Sequence, residues 1–241
     1  MSLFTFKSNE GSLLEKLSDF NSLFFPAYCL GCASGLVKGE DTLCTRCILE
    51  LPHTGYIHSP NNPVKEKFAG RLPMRFAWAF LKFRKTGVVQ KLLHQLKYNN
   101  CPEVGVRLGR IFGHLIKASA FDQEFDLIIP MPLHRSRQRH RGYNQSSMFA
   151  DGLAQVLSVP WFENIVSRQV NTVTQTKKTK VERWENVRTA FRIHEPDAVR
   201  DQRILLVDDV ITTGASIEAC GQLMLDHGCK ELSIACIAEA Q

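Results

Sequence analysis

The residues best suited to chemistry lie in one segment of the C-terminal third of the chain. Residues 204–207 are apolar, and Asp208 and Asp209 follow them directly. An apolar strand that ends in carboxylates and leads into a helix is typical of ligand sites at the carboxyl edge of open α/β sheets. Backbone N–H groups and hydroxyls at such a helix opening bind phosphate, and the sequence supplies them at Thr212, Thr213, Gly214, Ala215 and Ser216.

The carboxylate pair stands beside this predicted phosphate site. We expect Asp208 and Asp209 to accept hydrogen bonds from sugar hydroxyls or to lie near a magnesium ion. The sequence contains no GxxxxGK[ST] run, so the segment is not a P-loop. A buried strand whose Asp and Thr cap a helix would explain one carboxylate and one hydroxyl, but not the whole cluster.

Four of the eight cysteines form two closely spaced pairs, Cys29 with Cys32 and Cys44 with Cys47. Two CxxC pairs supply the tetrahedral sulfur shell of a structural zinc site. The spacer is shorter than the usual range of about 15–20 residues, although its glycines make a compact hairpin feasible. The alternatives are disulfides or free thiols, and His53 and His58 are further metal-ligand candidates. We interpret the remaining cysteines as core residues.

Positive charge is concentrated in two segments without acidic residues. Residues 127–149 and 164–181 contain no Asp or Glu, in a chain whose formal net charge is +6. Acid-free basic loops indicate a phosphate-rich ligand or nucleic acid, and a solvated basic face is the alternative for each loop.

The composition is that of a folded protein outside the membrane. Hydrophobic residues make up 44% and charged residues 22% of the chain, which suits a buried core. No run is long and apolar enough to cross a membrane, and residues 1–25 carry charges where a signal peptide needs an apolar run. We therefore expect a cytoplasmic protein, in which the apolar face of residues 13–25 packs on a core rather than lying on a membrane surface.

The elements that must position these residues alternate along the chain. Prolines, asparagines and a glycine mark residues 57–74 as a linker between an N-terminal helix and zinc module, 1–56, and an α/β domain, 75–241. Within that domain, apolar runs predict strands at 76–83, 125–129, 203–207 and 232–238. Helical spacing predicts helices around residues 89–96, 108–115, 149–156 and 214–227. The second helix carries Gly105, Gly109 and Gly113, which we expect to permit close packing on the sheet.

Residues 207–216 resemble the phosphoribosyl pyrophosphate-binding motif of type I phosphoribosyltransferases. The chain as a whole resembles the ComF family, which includes GntX-type proteins, and the family's motifs occur here in order. They are Cys29-Leu-Gly-Cys32, Leu96-Lys-Tyr98, Pro130-Met-Pro-Leu-His134, Arg141-Gly-Tyr-Asn-Gln145, Thr174-Gln175, Arg183, Asn186 and Ala190-Phe191. The resemblance implies a Rossmann-like, mainly parallel sheet with a small N-terminal four-cysteine zinc module.

The resemblance also implies roles for individual residues. Asp208 and Asp209 would hold the ribose hydroxyls, and residues 211–216, beginning with Ile211, would hold the 5′-phosphate. The loop of Pro132, Leu133, His134 and Arg135 would hold pyrophosphate, with Arg141 adding charge. The stretch 173–188 corresponds to a flexible lid that excludes water, represented by Thr174, Gln175, Lys177, Lys178 and Arg183. Lys177 and Lys178 stand where the family commonly has Gly and Leu, and Thr189 replaces a frequent Gly.

The implied activity is transfer of phosphoribosyl from its magnesium-bound pyrophosphate to an acceptor that the sequence does not identify. The alternative is a binding role in natural transformation, in which the protein handles single-stranded DNA together with other DNA-uptake proteins and uses the sugar-phosphate site as a sensor or clamp. Tyr143 and Trp184 in the basic loops are the aromatic residues expected to stack on bases.

Overall fold

Four parallel strands form the central sheet of the protein. The structure is a computed structural model and describes residues 26–169 and 190–240. The strands are β1 (Ala77–Phe83), β2 (Leu127–Pro130), β5 (Arg203–Ile211) and β6 (Glu231–Ala240), in the order β1-β6-β5-β2. Every neighbouring pair in this sheet is parallel, so all four carboxyl ends meet at one edge. Two further short strands, β3 (Val166–Arg168) and β4 (Phe191–Ile193), form an antiparallel pair.

Seven α-helices accompany the strands in the described residues. They are α1 (Thr45–Leu49), α2 (Pro63–Glu66), α3 (Val88–Tyr98), α4 (Glu103–Ala118), α5 (Arg135–Arg141), α6 (Gln145–Leu157) and α7 (Ala215–Asp226). None of the described helices has the length and apolarity that crossing a membrane requires.

Alternate residues of β5 face two separate cores, as a strand with helices on both faces requires. Leu205 and Val207 belong to the core that contains α3, α4, α6 and three of the paired cysteines. Ile204 and Leu206 belong to the other core, with α7 and the β3–β4 pair. Cys220, Cys229 and Cys236 are buried in this second core, as expected, whereas Cys101 is only partly buried.

The predicted strands and helices of the α/β domain are all present, with shifted ends, and two differences affect the site. Strand β5 continues past Val207 to Ile211 because β6 also extends and keeps pairing with it, Val210 opposite Ala238 and Ile211 opposite Glu239. The basic segment after β2 is not a simple loop, because it folds into α5.

The prediction that the glycine row of α4 packs on the sheet is wrong. This row packs against helix α6. A Cβ on Gly109 would overlap the carbonyl oxygen of Phe149, and one on Gly105 would lie 2.7 Å from the Cβ of Met148. Gly152 of α6 lies opposite Gly109, so the two helices approach backbone to backbone. Small residues at four-residue steps permit this approach between any two helices.

Candidate functional site

The carboxylates of Asp208 and Asp209 lie in the last part of β5, where helices on one face of the sheet supply their partners. The Ser146 hydroxyl, in the first turn of α6, donates a hydrogen bond of 3.1 Å to Oδ1 of Asp208. The backbone N–H of Asp209 donates to the same oxygen at 2.8 Å. Lys97 of α3 forms an ion pair with Asp209, with 2.7 Å between Nζ and Oδ2.

Burial makes the charge on Asp208 unfavourable. Desolvation and the neighbouring charge of Asp209 raise the pKa of Asp208 from its ordinary value to about 7, although hydrogen bonds from the Asp209 N–H and Ser146 and the charge of Lys97 act in the opposite direction. A ligand that brings a cation or hydroxyl donors to this carboxylate would relieve the penalty.

Helix α7 begins directly beyond these carboxylates. Gly214 precedes it with φ of 79° and lies against the ring of Phe68, which is 2.6 Å from where a Cβ would stand. Both features require glycine at this position. Thr212, Thr213 and Ala215 are exposed while Ser216 is half-buried, so the first turn of this twelve-residue helix lies near the surface beside the carboxylate pair. The first N–H groups of any helix lack partners within the helix.

Hydrogen bonds to Met131 hold the start of the loop 132–134 next to β5. The N–H of Met131 donates to the carbonyl of Val207 at 2.7 Å, and Asn144 donates from Nδ2 to the carbonyl of Met131 at 3.0 Å. His134 caps α5, accepting the N–H of Ser136 on its Nδ1. Its ring therefore serves the helix start, while the backbone of the loop lies at the sheet edge.

The remaining predicted residues are distributed unevenly. Arg135 begins α5. Arg141, at the end of that helix, donates to Gln145 at 2.7 Å and lies over the ring of Tyr98. The predicted lid residues Thr174, Gln175, Lys177, Lys178 and Arg183 lie outside the described residues, as does Trp184.

Three residues at this edge were missed by sequence reasoning. Lys97 was noted only as part of a motif, and its place in a long acid-free stretch is the signal that would have drawn attention to it. Ser146 carries no such signal, because its hydroxyl reaches Asp208 only through packing of α6 on the sheet. Glu239 is buried at the end of β6, where it pairs with Lys67 at 3.1 Å and accepts a hydrogen bond from Tyr56.

A cavity of about 380 Å³ opens beside the loop 132–134. The β3–β4 pair forms another wall, and there the Ser167 hydroxyl and Nε2 of His194 are 2.7 Å apart. Glu163 also lines it and accepts a hydrogen bond from Gln138.

The four paired cysteines form a second centre. All four Sγ atoms lie within 4.8 Å of one another, and those of Cys32 and Cys44 are 3.6 Å apart. This is the separation of sulfur atoms around one tetrahedral ion with metal–sulfur bonds of about 2.3 Å. All eight cysteines are free thiols, so the disulfide alternative does not hold.

The surroundings of these thiols suit a cation. Hydrogen bonding to Ser34 lowers the pKa of Cys32 to about 6, whereas burial raises the pKa of Cys47. Backbone N–H groups donate to the sulfurs of Cys29 and Cys44. His53 packs edge-on against Phe80, with 4.8 Å between ring centroids, and no histidine belongs to this metal-capable group in the described residues.

The chain is similar to one protein family and to several known proteins. The Phosphoribosyl transferase domain family matches residues 144–241. Competence protein F of Haemophilus influenzae is 27% identical over 226 residues, which cover 90% of this chain and 99% of that protein. DNA utilization protein YhgH of Salmonella typhi is 30% identical over 212 residues, 87% of this chain and 88% of the relative. A solved glutamine phosphoribosylpyrophosphate amidotransferase from B. subtilis is 18% identical, with a TM-score of 0.42 over 60% of this chain and 30% of that one.

The parallel sheet, with a strand–carboxylate–helix segment inside the matched domain, defines a type I phosphoribosyltransferase fold. The four-cysteine group precedes it at the N-terminal side, as in the arrangement that the sequence predicted. The chain belongs to the ComF family.

The raised pKa of Asp208 predicts a stability difference that depends on pH. Because folding raises this pKa, the ionised form opposes folding; the penalty is small below about pH 4 and complete above about pH 7. Asp208→Asn removes it, so the variant should exceed the wild type in free energy of unfolding by on the order of 1 kcal/mol at about pH 8. Urea unfolding at about pH 5 and pH 8 measures the difference, which should shrink toward the lower pH.

Asp226→Asn is the matched control, since it removes an exposed carboxylate at the far end of α7. It should not reproduce this pattern. A wild type at least as stable as Asp208→Asn at about pH 8 would show that the Asp208 charge is not strained.

Proposed function

We propose that this protein binds magnesium-bound phosphoribosyl pyrophosphate and acts as a phosphoribosyltransferase. The observation that carries the proposal is the pair of adjacent carboxylates, Asp208 and Asp209, of which Asp208 is desolvated, placed directly before the opening of α7. Two adjacent carboxylates beside the exposed first turn of a helix suit a ligand that combines hydroxyls, phosphate and a divalent cation.

Each part of the ligand has a proposed partner. Asp208 and Asp209 take the ribose hydroxyls, and residues 211–216 take the 5′-phosphate. The loop 132–135 takes pyrophosphate, with Arg141 adding positive charge from the end of α5. Lys97 already neutralises part of the Asp209 charge, so it orients this carboxylate and competes with any cation for it.

The proposed reaction forms a bond from an acceptor nucleophile to the anomeric carbon and breaks the bond from that carbon to pyrophosphate, which leaves with the electron pair. Carboxylate oxygens are ligands that magnesium prefers, so the pair fits that ion. Magnesium, when bound with the donor, neutralises charge on the departing pyrophosphate. The chain's own part is to hold the sugar over the Asp pair and to exclude water, for which the stretch 173–188 remains the predicted lid.

The cavity beside the loop 132–134 is the proposed entry for the acceptor. It shares Pro132 and Leu133 with the proposed pyrophosphate loop, so an acceptor there would lie close to the bound donor. Its Ser167, His194 and Glu163 lining favours an acceptor with hydrogen-bonding groups.

The cysteine group is proposed to hold one structural zinc. Four thiolates complete the coordination shell of zinc and leave no position open for water. The ion would therefore stabilise the N-terminal module, residues 1–56, and take no part in group transfer.

A second proposed function is the handling of single-stranded DNA during natural transformation, in the cytoplasm and with other DNA-uptake proteins. The support is the names of two relatives, "Competence protein F" and "DNA utilization protein", together with the formal net charge of +6 of the chain. In this role the sugar-phosphate site serves as a sensor or clamp.

Calorimetry with magnesium and phosphoribosyl pyrophosphate tests the first proposal. Wild type should bind the donor in a magnesium-dependent way, and Asp208→Asn/Asp209→Asn should lose at least about tenfold in affinity, since two ligand-facing charges are removed. Ribose 5-phosphate should bind more weakly than the full donor, because it reaches the α7 opening but not the loop 132–135.

Asp226→Asn again serves as the control and should bind like the wild type. Unchanged affinity in the double variant, with folding verified by circular dichroism, would locate the ligand elsewhere.

Elemental analysis tests the zinc proposal. Protein purified without chelator under reducing conditions should carry about one zinc per chain, and Cys44→Ser should lose it and unfold the module at lower denaturant concentration. Cys101→Ser, at a cysteine outside the group, is the control and should keep the metal. Less than about a tenth of an equivalent in wild type would refute a resident zinc.

A further inference from the structure

The longest acid-free part of the chain is not one of the two segments singled out by sequence. No Asp or Glu occurs between Glu66 and Glu103. This stretch includes α3 and the turn that leads from β1 into it. Arg84 and Lys85, in the turn before α3, and Lys91, in the helix, are exposed cations. This region therefore presents positive charge to solvent.

The cysteine module lies against this helix and forms a groove with it. The backbone at Gly31 approaches Val88 so closely that a Cβ would stand 2.9 Å from its Cγ2. The groove has a volume of about 430 Å³, with residues 28–33 on one side and Gln90, Lys91 and His94 on the other. No acidic residue is found among the described residues that line it.

Two tyrosines expose their rings at this surface. Tyr28, which lines the groove, is 58% exposed, and Tyr98, at the end of α3, is 63% exposed. The rings of His94 and Tyr98 contact each other, with 5.0 Å between centroids, and the Arg141 guanidinium lies 5.5 Å from the Tyr98 ring centroid. Flat exposed rings alternate here with cations.

Tyr143, by contrast, does not offer a free ring. Its hydroxyl donates to the carbonyl of Leu96 and its side chain packs against the core. Desolvation raises the pKa of Tyr143 to about 12. Tyr143, one of the two aromatic residues that the sequence favoured for base stacking, therefore serves to hold α5 and α6 to α3.

We propose that the α3 surface, formed by Tyr28, Arg84, Lys85, Lys91, His94 and Tyr98, binds single-stranded DNA. Aromatic side chains stack on unpaired bases of any sequence, and cations beside them contact the phosphates. A duplex keeps its bases stacked inside and could not use the tyrosine rings. The inference rests on the second proposed function only for the choice of DNA over RNA.

The length of α3 and the charges beside it indicate how a single strand would lie on this surface. Lys91 and Tyr98 are about 10 Å apart along the helix axis, so one strand lying along α3 can reach both. A tetrathiolate zinc, when bound, would carry about two net negative charges, so phosphates would follow Arg84, Lys85 and Lys91, and bases would lie toward Tyr28 and Tyr98. The strand then ends near Lys97, which contacts Asp209.

Fluorescence anisotropy with a labelled oligothymidylate of about 15 nucleotides tests the proposal. Tyr28→Ala/Tyr98→Ala should lower the affinity by at least about tenfold, and Tyr28→Phe/Tyr98→Phe should retain it because the rings remain. Lys91→Glu should weaken binding and reduce the slope of log affinity against log salt by about 0.7 or more. An abasic oligomer of equal length should bind wild type more weakly, and oligouridylate no more tightly than oligothymidylate.

Matched controls lie elsewhere on the molecule. Phe162→Ala removes an aromatic side chain of similar exposure, 55%, and Lys117→Glu reverses an exposed charge near the end of α4. Both should bind DNA within about twofold of wild type. Circular dichroism and zinc content verify that each variant is folded.

Four results would overturn the proposal: no binding by wild type, equal binding by the Tyr28→Ala/Tyr98→Ala variant, equal binding of the abasic oligomer, or tighter binding of RNA. Calorimetry of Tyr28→Ala and Lys91→Glu with magnesium and phosphoribosyl pyrophosphate reports on the other site independently. Loss of DNA binding and loss of phosphoribosyl pyrophosphate binding can therefore be told apart.

Discussion

Strand β5 is flanked by parallel strands on both sides, and the candidate site depends on this arrangement. Pairing with β2 brings the loop 132–134 to the end of β5, and pairing with β6 keeps β5 extended as far as Ile211. Parallel strands require covering helices on both faces, and those helices deliver Ser146 and Lys97 to the two carboxylates. The same geometry leaves the charge of Asp208 poorly solvated, a cost that a bound cation or sugar would offset.

Helix α3 contacts both the cysteine module and the carboxyl edge of the sheet. Its first turn packs against the cysteine module at Gly31, and its last turn carries Lys97 to Asp209. The buried cysteines of the module, Cys29, Cys44 and Cys47, share one core with this helix. The metal-capable group and the sheet edge are therefore joined by continuous packing. Lys67 and Phe68, from the predicted linker, also reach the sheet edge, at Glu239 and Gly214. The division of the chain at residues 57–74 stays a prediction.

Local signals determined how much the sequence alone could predict. The alternation of apolar strands and helices, the two CxxC pairs and the Asp208–Ser216 segment each depend on neighbours in sequence, and their patterns led to the fold and the cysteine cluster. The contacts of Ser146, Lys97 and Glu239 join residues far apart in the chain, so no local pattern encodes them. The glycine row of α4 shows the same limit, because spacing reveals a close approach but not which element approaches. The sequence did not point to the α3 surface, because its cations are interspersed with core residues.

The central claim is that the carboxylate pair, the α7 opening and the loop 132–134 together form one sugar-phosphate site. Backbone amide NMR during titration with magnesium and phosphoribosyl pyrophosphate tests this most directly, since it reports each segment separately. We expect saturable shift changes that are largest at residues 208–216, accompanied by changes at residues 131–134. Saturable changes confined to other segments, with these amides unaffected, would contradict this claim.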